Sequence, residues 1–237
     1  MKVYFTFYLI LIHVFVGVAV VKTDIVARFQ AKLGYEVVKD ELTSHFYTML
    51  AFHRRIDKNL PAKSVLFIGD SITQGLAVSA VYPQSVNFGI GQDTTFGVVT
   101  RLPIYTSIPR SKLVVVAVGV NDLMRRQNDE IIENYRKIIS LIPANVPILF
   151  SAIFPVDEVA SELKGVNARI NKINIRLGQL CSDNPRLYFI NSSEFFVDAN
   201  GGLAQDFHIG DGIHLNSIAN GIWITKLNAM VKIITAH

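Results

Sequence analysis

From about residue 61 onward the apolar positions fall in continuous runs rather than in alternation. The runs lie at 65–68, 113–118, 148–153 and 187–190, with a shorter and weaker one at 86–88. Strands buried on both faces read this way, because neither face meets water. Helical patterns lie between them at about 97–105, 129–142 and 158–181, and a last one at 217–234 closes the chain. Strand–helix alternation of this kind predicts a parallel sheet with helices on both sides. The 158–181 pattern carries a mixed polar face with Asn167, Arg169, Asn171, Lys172 and Asn174. No internal repeat or low-complexity linker interrupts the series.

The amino-terminal part follows other rules. Residues 24–59 contain few breakers and read as helix, with Asp24 as N-cap and Phe46, Met49, Leu50 and His53 at helical spacing. This stripe is expected to pack on the main domain, with a stalk as the alternative. Residues 3–21 carry no formal charge and consist mainly of Phe, Leu, Ile and Val. About 20 such residues at about 1.5 Å each can cross a bilayer core. The run exceeds the apolar core of about 7–15 residues in a secretory signal. Ala19-Val20-Val21 also puts Val where a cleavage site wants a small residue. An uncleaved signal anchor is therefore expected, with secretion after cleavage as the alternative. Lys2 precedes the run and Lys22 and Arg28 follow it, so the positive-inside rule says little. The usual topology for such segments puts the stub in the cytoplasm and the domain outside, in the periplasm or extracellular space. The resulting division is 1–22 anchor, 23–60 helical lead-in, and 61–237 one domain.

Composition changes this picture little. With 237 residues, half of them apolar, the chain can bury one sizeable core. Cys181 is the single cysteine, so an intrachain disulfide framework is excluded and no zinc-type spacing exists. The net charge of +4 is spread over scattered Lys and Arg, with short pairs at Arg54-Arg55 and Arg125-Arg126. There is no interleaving of basic and aromatic residues of the kind single-strand binders use, so no nucleic-acid partner is expected.

Four short segments carry the chemistry: Gly69-Asp70-Ser71, Asn87 to Thr94, Gly119-Val120-Asn121-Asp122, and Asp211-Gly212-Ile213-His214. The first three each follow an apolar run. In an open parallel sheet, sites lie beyond the carboxyl ends of the strands, so these three converge on one rim. Ser71 is the candidate nucleophile at the start of a helix, with Gly69 allowing a sharp turn out of the strand. A lone Gly-Asp-Ser more often only caps a helix; the company of the other segments reverses that weighting. His214 is the candidate base, able to take the serine proton and return it to a leaving alcohol. Asp211, three residues earlier, can fix its tautomer. His208 is the nearest rival, but no acid precedes it at the same spacing. Asn121 can donate its amide to an oxyanion, and Asp122 is expected to order the loop.

On these residues the chain resembles the SGNH, or GDSL-type, hydrolase family from about residue 61 to the carboxyl terminus. Ser71 matches the family nucleophile, Asn121 the amide donor of its Gly-x-Asn-Asp block, and Asp211 and His214 its Asp-x-x-His block. The second block normally ends in a glycine whose N–H faces the oxyanion; here Gln92 stands at that position, after Gly91. Gln92 still offers a main-chain N–H, although a positive φ would strain it. Residues 87–94 look most like the platelet-activating-factor acetylhydrolase catalytic-subunit branch. The resemblance implies a flavodoxin-like three-layer αβα fold with five parallel strands, and no metal or organic cofactor. It also implies an ester hydrolase acting through an acyl-serine on a lipid or carbohydrate ester. Ser71, Gln92 and Asn121 would form the oxyanion hole. An acyltransferase using the same serine, or a tethered binding domain with a relic site, are the alternatives.

Overall fold

The computed structural model describes Tyr8 and residues 41–236. The anchor at 1–22 and the Asp24 cap therefore lie outside the described residues, Tyr8 excepted. Among the described residues no helix is long and apolar enough to cross a membrane.

Helix α1 (Ser44–Asp57) starts at Thr43, whose hydroxyl accepts the Phe46 N–H at 3.1 Å. It buries Phe46, Leu50, His53 and Asp57, a spacing that keeps all four on one face. The chain then alternates through β1 (Val65–Gly69), the short helices α2 (Ser71–Gln74) and α3 (Val78–Val81), β2 (Ser85–Gly89) and α4 (Thr95–Arg101). It continues through β3 (Leu113–Ala117), α5 (Asn128–Leu141), β4 (Ile148–Ser151), α6 (Val166–Ser182), β5 (Leu187–Ile190) and α7 (Ser217–Thr235). The five strands are all parallel, in the order β2-β1-β3-β4-β5. This is a doubly wound sheet, with its switch point between β1 and β3.

Strand periodicity sorts the core into two layers. Leu66, Ile68, Val114, Val116, Ile148 and Phe150 face one side, where α1, α4, α5 and α6 cover them. Val65, Phe67, Leu113, Val115 and Leu149 face the other, where α3 and α7 bring Val81, Trp223, Leu227 and Val231. Successive side chains of one strand point to opposite faces, so the middle of the sheet is apolar on both sides, and the polar Ser151 comes only at the end of β4.

Three expected helices differ from those observed. The 158–181 helix begins only at Val166. Ahead of it, Asp157 accepts the Val159 and Ala160 N–H groups and closes a turn, and Gly165 sits at φ +72. Glu158 contributes from outside the helix, its carboxylate accepting the Gly165 and Asn167 N–H groups at 2.8 Å each. The 97–105 helix starts at Thr95 and tightens into a 3-10 turn at Leu102–Ile104, where Pro103 interrupts the α-helical hydrogen bonding. Within the 24–59 pattern, the described helix is Ser44–Asp57.

Gly69 is required for a reason other than a turn. A Cβ there would lie 2.1 Å from both the Ala117 carbonyl oxygen and the Thr73 hydroxyl. Its absence lets α2 lie directly on the ends of β1 and β3.

Candidate active site

The strand ends set the site. At the end of β1, Asp70 caps α2, its Oδ1 accepting the Ile72 N–H at 3.0 Å. Ser71 is the first residue of that helix, so its N–H has no helical carbonyl to meet. The Ser71 Oγ lies 2.8 Å from His214 Nε2, and His214 Nδ1 lies 2.5 Å from Asp211 Oδ2. The other Asp211 oxygen accepts the Ile213 and His214 N–H groups at 3.0 Å each. One carboxylate thus shapes the loop backbone and orients the ring it carries. Burial raises the Asp211 pKa, but the His214 ring and the two backbone donors outweigh it and hold the carboxyl below its usual range.

His208 has a different task from the one considered for it. It is buried, and its Nδ1 accepts the N–H groups of Gly210 at 3.0 Å and Gly212 at 3.1 Å. Its Nε2 stands 3.5 Å from Asp157 Oδ2. Two glycines with positive φ, Gly210 at +104 and Gly212 at +74, wrap the chain around this ring. The Asp211–His214 turn is therefore built on His208.

Asn121 lies in a 3-10 turn, Val120–Met124, that leaves β3 through Gly119 at φ +140. Its Nδ2 donates to the Asp93 carbonyl at 2.9 Å. One amide hydrogen is used there and the second remains for a ligand. Gln92 occupies a turn closed by Asp93 N–H to the Ile90 carbonyl at 3.1 Å, and its φ is +66. This is the left-handed conformation that glycine adopts without cost and glutamine does not. The neighbouring Gly91 N–H donates to Gln74 Oε1 at 2.5 Å, which ties the turn to α2.

Behind these groups stands a buried polar layer that the motifs do not announce. Arg101, fully buried, donates to Asp93 Oδ2 at 2.8 Å, to the Phe88 carbonyl at 2.8 Å and to the Gly69 carbonyl at 3.0 Å. It also donates to the Tyr105 hydroxyl at 2.8 Å, and Tyr105 meets His53 Nδ1 of α1 at 2.9 Å. One side chain thus fastens the ends of β1 and β2 to the turn that holds Asn121. Asp122 accepts the Thr95 N–H at 2.9 Å, the Thr95 hydroxyl at 2.5 Å and Arg126 at 2.6 Å, so its role is to order the loop. Burial pushes Asp93 up to about 6, even against Arg101. It pushes Asp70 up to about 7, with the Asp93 and Asp122 carboxylates adding to the rise. Among the described residues no cluster of His, Cys, Asp or Glu is arranged to hold a metal ion.

Comparison with known proteins accords with a serine hydrolase on this fold. The model of the GDSL-like lipase/acylhydrolase family matches residues 67–220, and the chain belongs to that family of enzymes. The alpha2 subunit of platelet-activating factor acetylhydrolase IB from Homo sapiens is 27% identical over 151 residues, covering 59% of this chain and 64% of that protein. The chain thus matches just under two thirds of the length of these curated relatives. A GDSL-like lipase from Bacteroides thetaiotaomicron superposes with a TM-score of 0.69 at 19% identity, covering 77% of this chain and 97% of its own. An acetylxylan esterase from Geobacillus stearothermophilus gives a TM-score of 0.58 at 19% identity, covering 73% and 94%. These two structures speak for the fold.

Proposed function

We propose that the protein removes a short acyl group from an ester of a lipid or carbohydrate through an acyl-serine intermediate. The continuous path from Ser71 Oγ to His214 Nε2 at 2.8 Å and from His214 Nδ1 to Asp211 at 2.5 Å carries this reading. Ser71 Oγ attacks the ester carbonyl carbon and its proton passes to His214 Nε2. The carbonyl oxygen becomes an oxyanion, held by the main-chain N–H groups of Ser71 and Gln92 and by the free amide hydrogen of Asn121. As the C–O bond to the alcohol breaks, His214 returns the proton to the departing oxygen. Water then attacks the acyl-serine, with His214 taking its proton, and the acid leaves as Ser71 recovers its hydrogen. Asp211 stays ionised and steadies the imidazolium.

A short acyl group is favoured by Gln92, which stands at φ +66 where the family has glycine and adds side-chain bulk beside the nucleophile. The charge-free run at 3–21 supports a membrane-anchored placement, and the usual topology of such segments would put the domain outside the cytoplasm.

The test is labelling of the full chain with a fluorescent fluorophosphonate, alongside hydrolysis of a chain-length series of nitrophenyl esters. A single adduct on Ser71, lost in Ser71→Ala together with turnover, is expected, with acetate cleaved faster than octanoate. Full esterase activity in a folded Ser71→Ala protein would overturn the assignment.

A further inference from the structure

A second concave surface lies on the same rim, beyond the site. It is about 450 Å³ in volume and sits between the segment after β4, the loop after β5 and the first half of α6. None of its lining residues is ionisable. The larger groove along α5, about 630 Å³, is by contrast lined mostly by charges, among them Arg126, Glu133, Lys137 and Arg176.

Asparagines build this neutral groove. Asn167, Asn171 and Asn174 follow at four and three residues along α6, so they share one helix face. The outer two are fixed to the strand-side wall. Asn167 exchanges hydrogen bonds with the Val156 N–H at 2.9 Å and carbonyl at 2.8 Å. Asn174 does the same with the Ile153 N–H and carbonyl, both at 2.9 Å. Asn171 between them is exposed, and its amide has no hydrogen-bond partner among the described residues. On the facing loop, Asn191 uses only its oxygen, on Ser193, and the exposed Asn200 side chain is likewise unengaged among the described residues. Val197, 40% exposed, supplies an apolar patch.

A side-chain amide both donates and accepts, which matches a hydroxyl doing the same. A surface that carries free amides and no charge suits a neutral polyol and gives an anionic headgroup no cation to pair with. Its place fits the reaction as well. Strands about 4.8 Å apart put the ends of β4 and β5 on the order of 10–15 Å from the end of β1, where Ser71 stands. We infer that this asparagine groove holds a neutral oligosaccharide whose acylated hydroxyl is presented to Ser71. The inference rests on the esterase reading and gives it a substrate class.

The experiment is calorimetric titration of the full-length Ser71→Ala protein with xylohexaose, cellohexaose and chitohexaose. Saturable binding of one of them is expected, weakened about tenfold by the pair Asn171→Ala and Asn200→Ala. In the Ser71 protein the same pair should leave fluorophosphonate labelling and nitrophenyl acetate hydrolysis unchanged. Binding of none of the three by a folded protein overturns the inference, as does binding that the asparagine pair does not alter. So does binding of phosphatidylglycerol vesicles that the pair abolishes. In each of these cases intact labelling of Ser71 leaves the esterase reading standing, whereas a wild-type protein without labelling sinks that reading instead.

Discussion

Asp70 is a buried acid held directly beside the proposed nucleophile, and its titration should be visible in the stability of the whole domain. Its environment pushes the carboxyl from 3.8 up to about 7, through burial first and the Asp93 and Asp122 carboxylates after it. A group whose pKa is raised on folding binds more protons in the native state than in the unfolded one. Its stabilising contribution is therefore complete below pH 4 and is lost as pH climbs through about 7. Roughly three pH units at about 1.4 kcal/mol each give a ceiling of about 4 kcal/mol. Against a domain stability of about 5–15 kcal/mol, that is a large share. The perturbation is Asp70→Asn. Its amide oxygen still accepts the Ile72 N–H, so the α2 cap is kept while the charge is removed. The assay is urea unfolding from pH 4.5 to 8.5, followed by the fluorescence of Trp223, the one tryptophan, which is buried. Wild type and variant should be of similar stability at pH 4.5, and the variant should be the more stable by up to about 4 kcal/mol at pH 8.5. Because Asp70, Asp93 and Asp122 interact, the difference belongs to the set rather than to one proton. Two curves parallel within about 1 kcal/mol across this range would refute the reasoning, since a titrating buried charge cannot leave stability flat.

Two further outcomes follow from single residues. Gln92→Gly should keep esterase activity, because the proposed donor is the main-chain N–H, and should change stability by less than about 1 kcal/mol as relief of the left-handed φ is offset by glycine's greater freedom when unfolded. Gln92→Val should be clearly less stable in the same urea assay; equal stability would mean that φ +66 is not imposed by the turn. His208→Ala removes the acceptor for the Gly210 and Gly212 N–H groups, and the displaced His214 should lower kcat by about 10–100-fold with little effect on KM. His208→Asn, which restores a side-chain acceptor, should recover part of that loss, and an unchanged kcat in His208→Ala would remove His208 from the positioning of the loop.

The sheet was legible because burial on both faces leaves no choice of side chain. Val65 and Phe67 serve one layer while Leu66 and Ile68 serve the other, and a run without polar breaks is the trace this leaves in sequence. The helix boundaries were less legible where long-range contacts set them. Residues 158–165 hold helix-compatible side chains, yet the Asp157 turn is locked from elsewhere, its N–H donating to the Gly212 carbonyl at 2.8 Å. No local propensity records a partner 55 positions away, here Asp157 and Gly212.

The same distinction divides the site. Ser71, Asn121, Asp211 and His214 stand out as candidates because each sits in a short segment whose neighbours also have work to do: Gly69 admits close packing, Asp70 caps, and Asp211 holds its own loop. Arg101 left no such trace. In sequence it is one more basic residue at a helix end, and only the fold shows it reaching Gly69, Phe88 and Asp93 at once. His208 was weighed for chemistry because histidine invites it, and no spacing rule could show that its Nδ1 is spent on two glycine N–H groups. Gln92 is the instructive middle case. The family resemblance, which puts glycine at this position, signals the strain of a positive φ, but what sustains it is not local. The turn is pinned by Gln74 through Gly91 on one side and by Asn121 through Asp93 on the other. With both flanks fixed, the backbone of residue 92 has one path open to it, and the residue there must follow that path whether or not it is glycine. A main chain held this way would keep the proposed Gln92 N–H donor whatever the side chain, which is why the side chain can vary at this position.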